Sequence, residues 1–365
     1  ANSRRADAPR SPRSVTPGLP ALRLTDVHKH NLVGVDVSIP LGRFVAVTGV
    51  SGSGKSTLVM DVLVPAVKEA LVRTQDSADR NQESGAGCAG SPAACLWLPD
   101  DVKRLVSIDQ SSLGRTSRST PATYSGVWDD IRKVYAKTKE ARVRGFKASR
   151  FSFTSPEGRC PACKGQGTTR IEMKFLPDVF AICPVCEGRR FNRQTLGVRF
   201  HGKSVADVLS MPIDEAASLF VDVPRIRERL ELLGSVGLGY LELGQSALTL
   251  SGGEAQRVRL ATELSLPGKL STEPSLFVLD EPTTGLHPRD VERLVDLLQR
   301  LVDDDHTVIV IEHEPALIAA ADWVVDLGPG GGTAGGSLVA ACSPADLTQH
   351  PESLTGWALA KYFAG

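Results

Sequence analysis

The sequence predicts an α/β fold: a mostly parallel sheet, interrupted by a long helical insert that carries a four-cysteine module. Three observations lead there. Short apolar runs at Phe44 to Thr48, Leu276 to Leu279 and Thr307 to Ile311 are strand-sized and unbroken, as strands covered on both faces are. Helical patterns alternate with them, from Lys55 and over Pro288 to Val302, which is the order of a layered α/β domain. Between the first two strands lie two Cys-x-x-Cys pairs, Cys160/Cys163 and Cys183/Cys186.

Taken in order, residues 1–20 are rich in Arg, Ser and Pro and lack periodicity, so a disordered tail or linker is expected. The opening without Met is what a fragment would have. Val33 to Ile39 alternates as a half-buried strand, and Phe44 to Thr48 runs straight into a glycine-rich turn and a helix. Lys68 to Asp100 includes the polar stretch Gln75 to Gly87 and is expected to be a solvated surface insertion. A strand at Arg104 to Ile108 leads into the insert, where a helix is expected over Tyr124 to Ala141. Further helices are expected at Ser204 to Leu209, Ile213 to Phe220 and Pro224 to Leu233. A helix after Ser251 and a small strand at Trp323 to Asp326 complete the series.

Composition narrows the class. The apolar stretches fall short of the ~20 residues a membrane helix needs, and no charged-then-apolar leader opens the sequence. The expectation is a soluble, cytoplasmic protein with no membrane partner. Seven cysteines, four of them in tight pairs, fit metal ligation better than a disulfide framework; Cys88, Cys95 and Cys342 read as incidental. The formal net charge is zero, yet Lys103 to Lys203 holds 21 Lys and Arg against eight Asp and Glu, a balance of +13, leaving −13 elsewhere. A basic run is ordinarily a solvated face. Here it overlaps the cysteine module, which favours a footprint on a phosphate backbone.

Four constellations carry chemistry. Gly49-Val-Ser51-Gly52-Ser53-Gly54-Lys55-Ser56 matches the phosphate-loop pattern between an apolar strand and a helix. Its backbone N–H groups converge on phosphate oxygens, Lys55 reaches the outer phosphates, and Ser56 can ligate Mg²⁺, with Thr57 following. Asp280 and Glu281 close an apolar strand, and two acids there are costly unless a metal or water uses them. Asp280 is expected to hold Mg²⁺, and Glu281 to orient or deprotonate the attacking water. Ser251-Gly252-Gly253-Glu254 begins a helix as a capping box. Cap stability gains nothing from two glycines, whereas close approach to an anion does. The 19 residues between Cys163 and Cys183 suit a structural four-thiolate zinc site with no open position.

Arg144, Lys147, Arg150, Arg170, Lys174, Arg189 and Arg190 stud or precede the cysteines and are the candidate DNA contacts. Phe146, Phe151, Phe153, Phe175, Phe180 and Phe191 are interleaved with them. A small metal module needs some of those rings as core, so no base stacking is assigned.

The octet Leu250 to Arg257, with the phosphate loop and the acidic strand, resembles the LSGGQ-type motif of ABC ATPases. In that family the motif completes the ATP site of a facing domain. Gln110 and His313 fall where the family has its Q-loop and switch histidine. Longer stretches resemble the UvrA family, C-terminal half: Gly114-Arg-Thr-Ser-Arg-Ser-Thr-Pro-Ala-Thr-Tyr124, Gly158-Arg-Cys-Pro-Ala-Cys163, Ile171 to Val179, Gly237-Leu-Gly-Tyr240 and Asp280-Glu-Pro-Thr-Thr-Gly-Leu-His287.

The resemblance implies an ATP-modulated dimer that scans duplex DNA, recognises distortion in nucleotide excision repair and loads a UvrB-type subunit. It implies ATP, Mg²⁺ and Zn²⁺ as cofactors. The family carries two phosphate loops and two LSGGE motifs, whereas this sequence has one of each. It therefore needs its N-terminal half, another ABC half or a second copy. The expected domains are an ATP-binding lobe at 21–115, an inserted signature domain at 116–245 with the zinc module at about 151–200, a second lobe at 246–340, and a tail at 341–365. An ABC transporter energy subunit and a non-enzymatic zinc interaction module are the rival readings. The zinc knuckles weigh against the first, and the intact Lys55, Asp280, Glu281 and His313 against the second.

Overall fold

In a computed structural model of the chain, the described residues are 12–16, 18–78, 89–91, 94–111, 113–114, 116–171, 179–265 and 273–364. The chain divides into two compact units, one of residues 1–109 and 266–365 and the other of residues 110–265.

The first unit is built on a six-stranded sheet in the order Ser337–Cys342, Trp323–Gly328, Phe44–Gly49, Thr307–Ile311, Ser275–Asp280, Arg104–Ile108. The last five are parallel, and Ser337–Cys342 pairs antiparallel with its neighbour. All of Thr307–Ile311 is buried, as are the first five residues of Phe44–Gly49 and of Ser275–Asp280. Continuous burial explains the unbroken apolar runs, because both faces of a parallel sheet are covered. The register sets Val47 beside Ile311 and Ile311 beside Asp280, with Thr48 beside Asp326. The carboxyl ends thus gather at one edge, where open α/β sheets present ligand sites.

One face is covered by an antiparallel sheet, Leu32–Pro40, Ala21–Lys29, Ala94–Trp97, Ala89–Ser91, and by the helix that follows the phosphate loop. Leu22, Leu24, Val35 and Val37 share a core with Leu58, Val59, Val62 and Val67 and with Val45 and Val47 of the parallel sheet. On helix Pro288–Asp303, Val291, Leu294, Val295, Leu298, Leu301 and Val302 are buried, the spacing of one helical face.

Two expectations change here. The segment Lys68 to Asp100 is not simply a surface insertion: the helix runs on to Ala78, and Ala94–Trp97 joins the antiparallel sheet, with Leu96 buried opposite Leu24. Residues 79–88, 92 and 93 lie outside the described residues, Cys88 among them; Cys95 is disulfide-bonded. Within residues 1–20, Arg13 packs on the unit. Its backbone N–H donates to Asp322 Oδ1 at 2.6 Å, and its guanidinium pairs with Asp303 and Asp322.

The second unit is mostly helical. The single helix expected over Tyr124 to Ala141 is broken into Pro121–Tyr124, Val127–Ala136 and Lys139–Val143. Gly126 is left-handed at φ 71°, and Thr138 caps the last piece by accepting from Ala141 N–H. Helices at Val205–Leu209, Ile213–Leu219 and Pro224–Leu233 follow the expected positions closely. The glycine-led helix Gly252–Leu264 also belongs to this unit. Trp128, Phe153 and Phe191 form one aromatic cluster, and Tyr135, Phe151 and Phe200 another. No helix among the described residues is long and apolar enough to cross a membrane.

Leu298, fully buried on the helix Pro288–Asp303, tests the packing. Leu298→Ala should cost about 2–5 kcal/mol, read as a lowered urea midpoint at an unchanged slope.

Candidate functional site

The phosphate loop leaves the strand Phe44–Gly49 at its carboxyl end. Gly49 sits at φ 134°, and a Cβ there would lie 2.1 Å from Leu327 O, so only glycine lets the neighbouring strand pass. Lys55 Nζ donates to the carbonyls of Gly49 and Val50, each at 2.9 Å. Burial lowers the pKa of this ammonium, while the carboxylates of Glu281, Asp326 and Asp280 pull it back up. Helix begins at Lys55, and Thr57–Leu63 is wound as a π-turn. Ser53 is fully buried, and its Oγ has no hydrogen-bond partner among the described residues.

Asp280 ends its strand half-buried. Burial raises its pKa, and Glu281, Asp109 and Glu312 add to the rise against Lys55. Glu281 follows in the left-handed region at φ 49°, with its N–H donating to Ile311 O at 2.9 Å.

The residue that sequence reasoning missed is Glu312. It is completely buried and accepts from Thr283 N–H at 2.8 Å, Thr283 Oγ1 at 2.6 Å, His313 N–H at 2.9 Å and Glu314 N–H at 3.3 Å. It thereby ties the loop after Glu281 to the loop that carries His313. The His313 ring is largely exposed, with Nδ1 4.0 Å from Glu312 Oε2. An acid at the end of an apolar strand was the available signal.

In the second unit, Ser251 and Glu254 form the expected capping box. Ser251 N–H donates to Glu254 Oε2 at 2.7 Å, and Glu254 N–H donates to Ser251 Oγ at 3.3 Å. Tyr240 OH donates to the other Glu254 oxygen. Burial raises the Glu254 pKa, but these hydrogen bonds outweigh it and the net shift is downward; burial and Glu254 push the Tyr240 phenol up to about 12. Gln110 lies against the helix start: a Cβ on Gly252 would be 3.3 Å from Gln110 Oε1.

The four cysteines are brought together. All are buried, and their sulfurs lie within 4.8 Å of one another. Cys163 Sγ and Cys186 Sγ are 3.6 Å apart, where a tetrahedral ion with ~2.3 Å bonds would hold sulfurs ~3.8 Å apart. The two knuckles repeat one geometry: Lys164 and Gly165, like Glu187 and Gly188, are left-handed. A Cβ on Gly165 would lie 1.7 Å from Phe153 O. Burial raises the Cys163 pKa, and the Gly167 N–H that donates to its Sγ at 3.3 Å only partly offsets the rise. The donor set fits a zinc ion.

The candidate cations divide. Arg190 is committed internally: its guanidinium donates to Ser117 O at 3.0 Å and Gly244 O at 3.1 Å, over the Phe153 ring. It braces the module through these two carbonyls. Arg150 donates to Gln194 Oε1 at 2.7 Å and stacks 3.9 Å from the Phe146 centroid, with Arg144 on the same ring. Lys147 is exposed, and Arg189 pairs with Glu187 at the surface. Phe151, Phe153 and Phe191 are core. Lys174, Phe175 and the side chain of Arg170 lie outside the described residues.

Sheet order, phosphate loop, acidic strand end and the separate capped Ser-Gly-Gly-Glu helix define an ABC-type ATPase fold with an inserted helical unit. No family model matches the chain. It is 49% identical over 341 residues to UvrABC system protein A of Aquifex aeolicus and 50% identical over 335 residues to that of Bacillus subtilis, covering 93% and 92% of this chain. The crystal structure of UvrA2 from Deinococcus radiodurans superposes with a TM-score of 0.81 at 46% identity, covering 98% of this chain and 41% of that one. Over this span the chain belongs to the UvrA family. It spans 35% and 33% of the length of the two curated relatives.

Glu312→Ala would remove the acceptor of three part-buried N–H groups and a hydroxyl. A loss of about 3 kcal/mol or more is expected, read by urea unfolding, with Glu312→Gln losing less.

Proposed function

We propose that this chain is the ATP-hydrolysing, DNA-binding segment of a UvrA-type damage-recognition protein in nucleotide excision repair, acting in the cytoplasm. The observation that carries the reading is the convergence of Lys55, Asp280 and Glu281 at one sheet edge, in a chain whose other unit holds the Ser-Gly-Gly-Glu helix and a buried four-thiol cluster.

In this reading the N–H groups of Gly49 to Thr57 and the Lys55 ammonium bind the phosphates of ATP. Ser56 and Asp280 hold Mg²⁺, which supplies charge neutralisation on the phosphates. Glu281 orients the attacking water, and His313 contacts the transferred phosphate. The Glu254 carboxylate is already committed to Ser251 and Tyr240. What the signature offers a facing domain is therefore the Ser251 hydroxyl and the N–H groups of Gly252 and Gly253. The facing domain is the N-terminal half, another ABC half or a second copy. Zinc on Cys160, Cys163, Cys183 and Cys186 is structural, because four thiolates leave no open position. Arg144, Lys147, Arg150 and Arg189, with Arg170 and Lys174, contact the duplex backbone, and a UvrB-type subunit is the downstream partner.

Lys55→Ala should abolish ATP binding by equilibrium titration, whereas Glu281→Gln should keep binding and lose phosphate release. Wild-type turnover in either variant would sink the assignment. With roughly four phosphates neutralised, log affinity for duplex DNA should fall against log salt with a slope of about −3 to −4; a flat response in gel-shift titrations would remove the DNA footprint. Purified chain should contain one zinc per molecule by elemental analysis, and Cys163→Ser should lose it.

A further inference from the structure

A phosphate loop that points its N–H groups inward must have its carbonyls satisfied from outside. The Gly49 and Val50 carbonyls accept from Lys55, and Val50 O also accepts from Ser53 N–H at 3.2 Å. The Gly52 carbonyl accepts from Gly332 N–H at 3.0 Å, and the Ser53 carbonyl from Gly336 N–H at 3.1 Å. Asn31, in the turn between the strands Ala21–Lys29 and Leu32–Pro40, adds a second donor: its Nδ2 reaches Gly52 O at 3.1 Å and Gly332 O at 3.3 Å. The donors come from the glycine-rich run Gly328-Pro-Gly-Gly-Gly-Thr-Ala-Gly-Gly336, which follows the strand Trp323–Gly328. Its backbone lies too close for side chains: a Cβ on Gly331 would be 2.5 Å from Ser51 O, and one on Gly336 1.9 Å from Asn31 O.

We propose that this run is a backbone strap that braces the phosphate loop, with Asn31 as the positioning residue that clips strap and loop together. The strap touches no reacting atom. It fixes the outer carbonyls of Gly52 and Ser53, and through the rigid peptide planes it holds the Ser53 N–H on the Val50 carbonyl at 3.2 Å and aims the Gly54 N–H. The functional consequence rests on the nucleotide-binding reading of that loop. The bracing itself does not.

The test uses the full chain and three variants, Asn31→Ala, Gly331→Ala and Lys55→Ala, with MgATP as probe. Amide hydrogen exchange without nucleotide should be faster at Gly332 and Gly336, the strap's own donors, in Asn31→Ala, at an unchanged melting midpoint. MgATP affinity should drop about tenfold, the loss of one to two hydrogen bonds, and Gly331→Ala should drop it further. Wild-type exchange at Gly332 and Gly336 in Asn31→Ala overturns the strap. Faster exchange with wild-type MgATP affinity, while Lys55→Ala has lost binding, overturns the positioning role. Wild-type affinity in Lys55→Ala as well would instead condemn the nucleotide reading, leaving the bracing to be judged by exchange alone.

Discussion

Burial of the parallel strands on both faces is the constraint on which the first unit depends. Strands so covered can expose polar chemistry only where they end, so the loop after Gly49 and the acids Asp280 and Glu281 emerge at a common edge. The same burial makes every polar group near that edge costly unless paired. Glu312 is paired by backbone N–H groups and a hydroxyl. Asp326 is paired by the hydroxyls of Thr48, Ser353 and Thr355 at 2.9, 2.6 and 3.0 Å. That second carboxylate joins the start of the helix Leu354–Ala364 to the strand that delivers the phosphate loop.

Much of this was legible in the sequence where local chemistry decides. Pro224–Leu233 begins where a proline sits at the first helical position, and Gly252–Leu264 begins where Ser251 and Glu254 cap each other. The apolar runs marked the central strands because a doubly covered strand needs no alternation. The phosphate loop and the cysteine knuckles were equally plain, since their spacing is their mechanism.

What the sequence hid depends on partners far along the chain. Glu312 looks like any acid after a strand until Thr283 is seen beside it. Arg190 looks like a surface cation until its guanidinium is found on the carbonyls of Ser117 and Gly244. Leu96 sits in the short apolar run Ala94-Cys-Leu-Trp-Leu98, close behind a long polar stretch, and only pairing with Leu24 shows it to be a sheet strand. The break at Gly126 was hidden by a helical pattern continuing on both sides, although a left-handed glycine was there to be noticed.

The connectivity of the sheet has a kinetic consequence. The edge strand Arg104–Ile108 pairs in register with Ser275–Asp280, yet the whole second unit lies between them in sequence. Closing so long a loop is entropically slow, and parallel pairing rewards it only at the end. If the insert collapses first around its aromatic clusters, it shortens the effective tether, and the edge strand can then dock late on a sheet already formed by its nearer neighbours. Refolding should thus be hierarchical, with the edge that leads into the insert the last to zip.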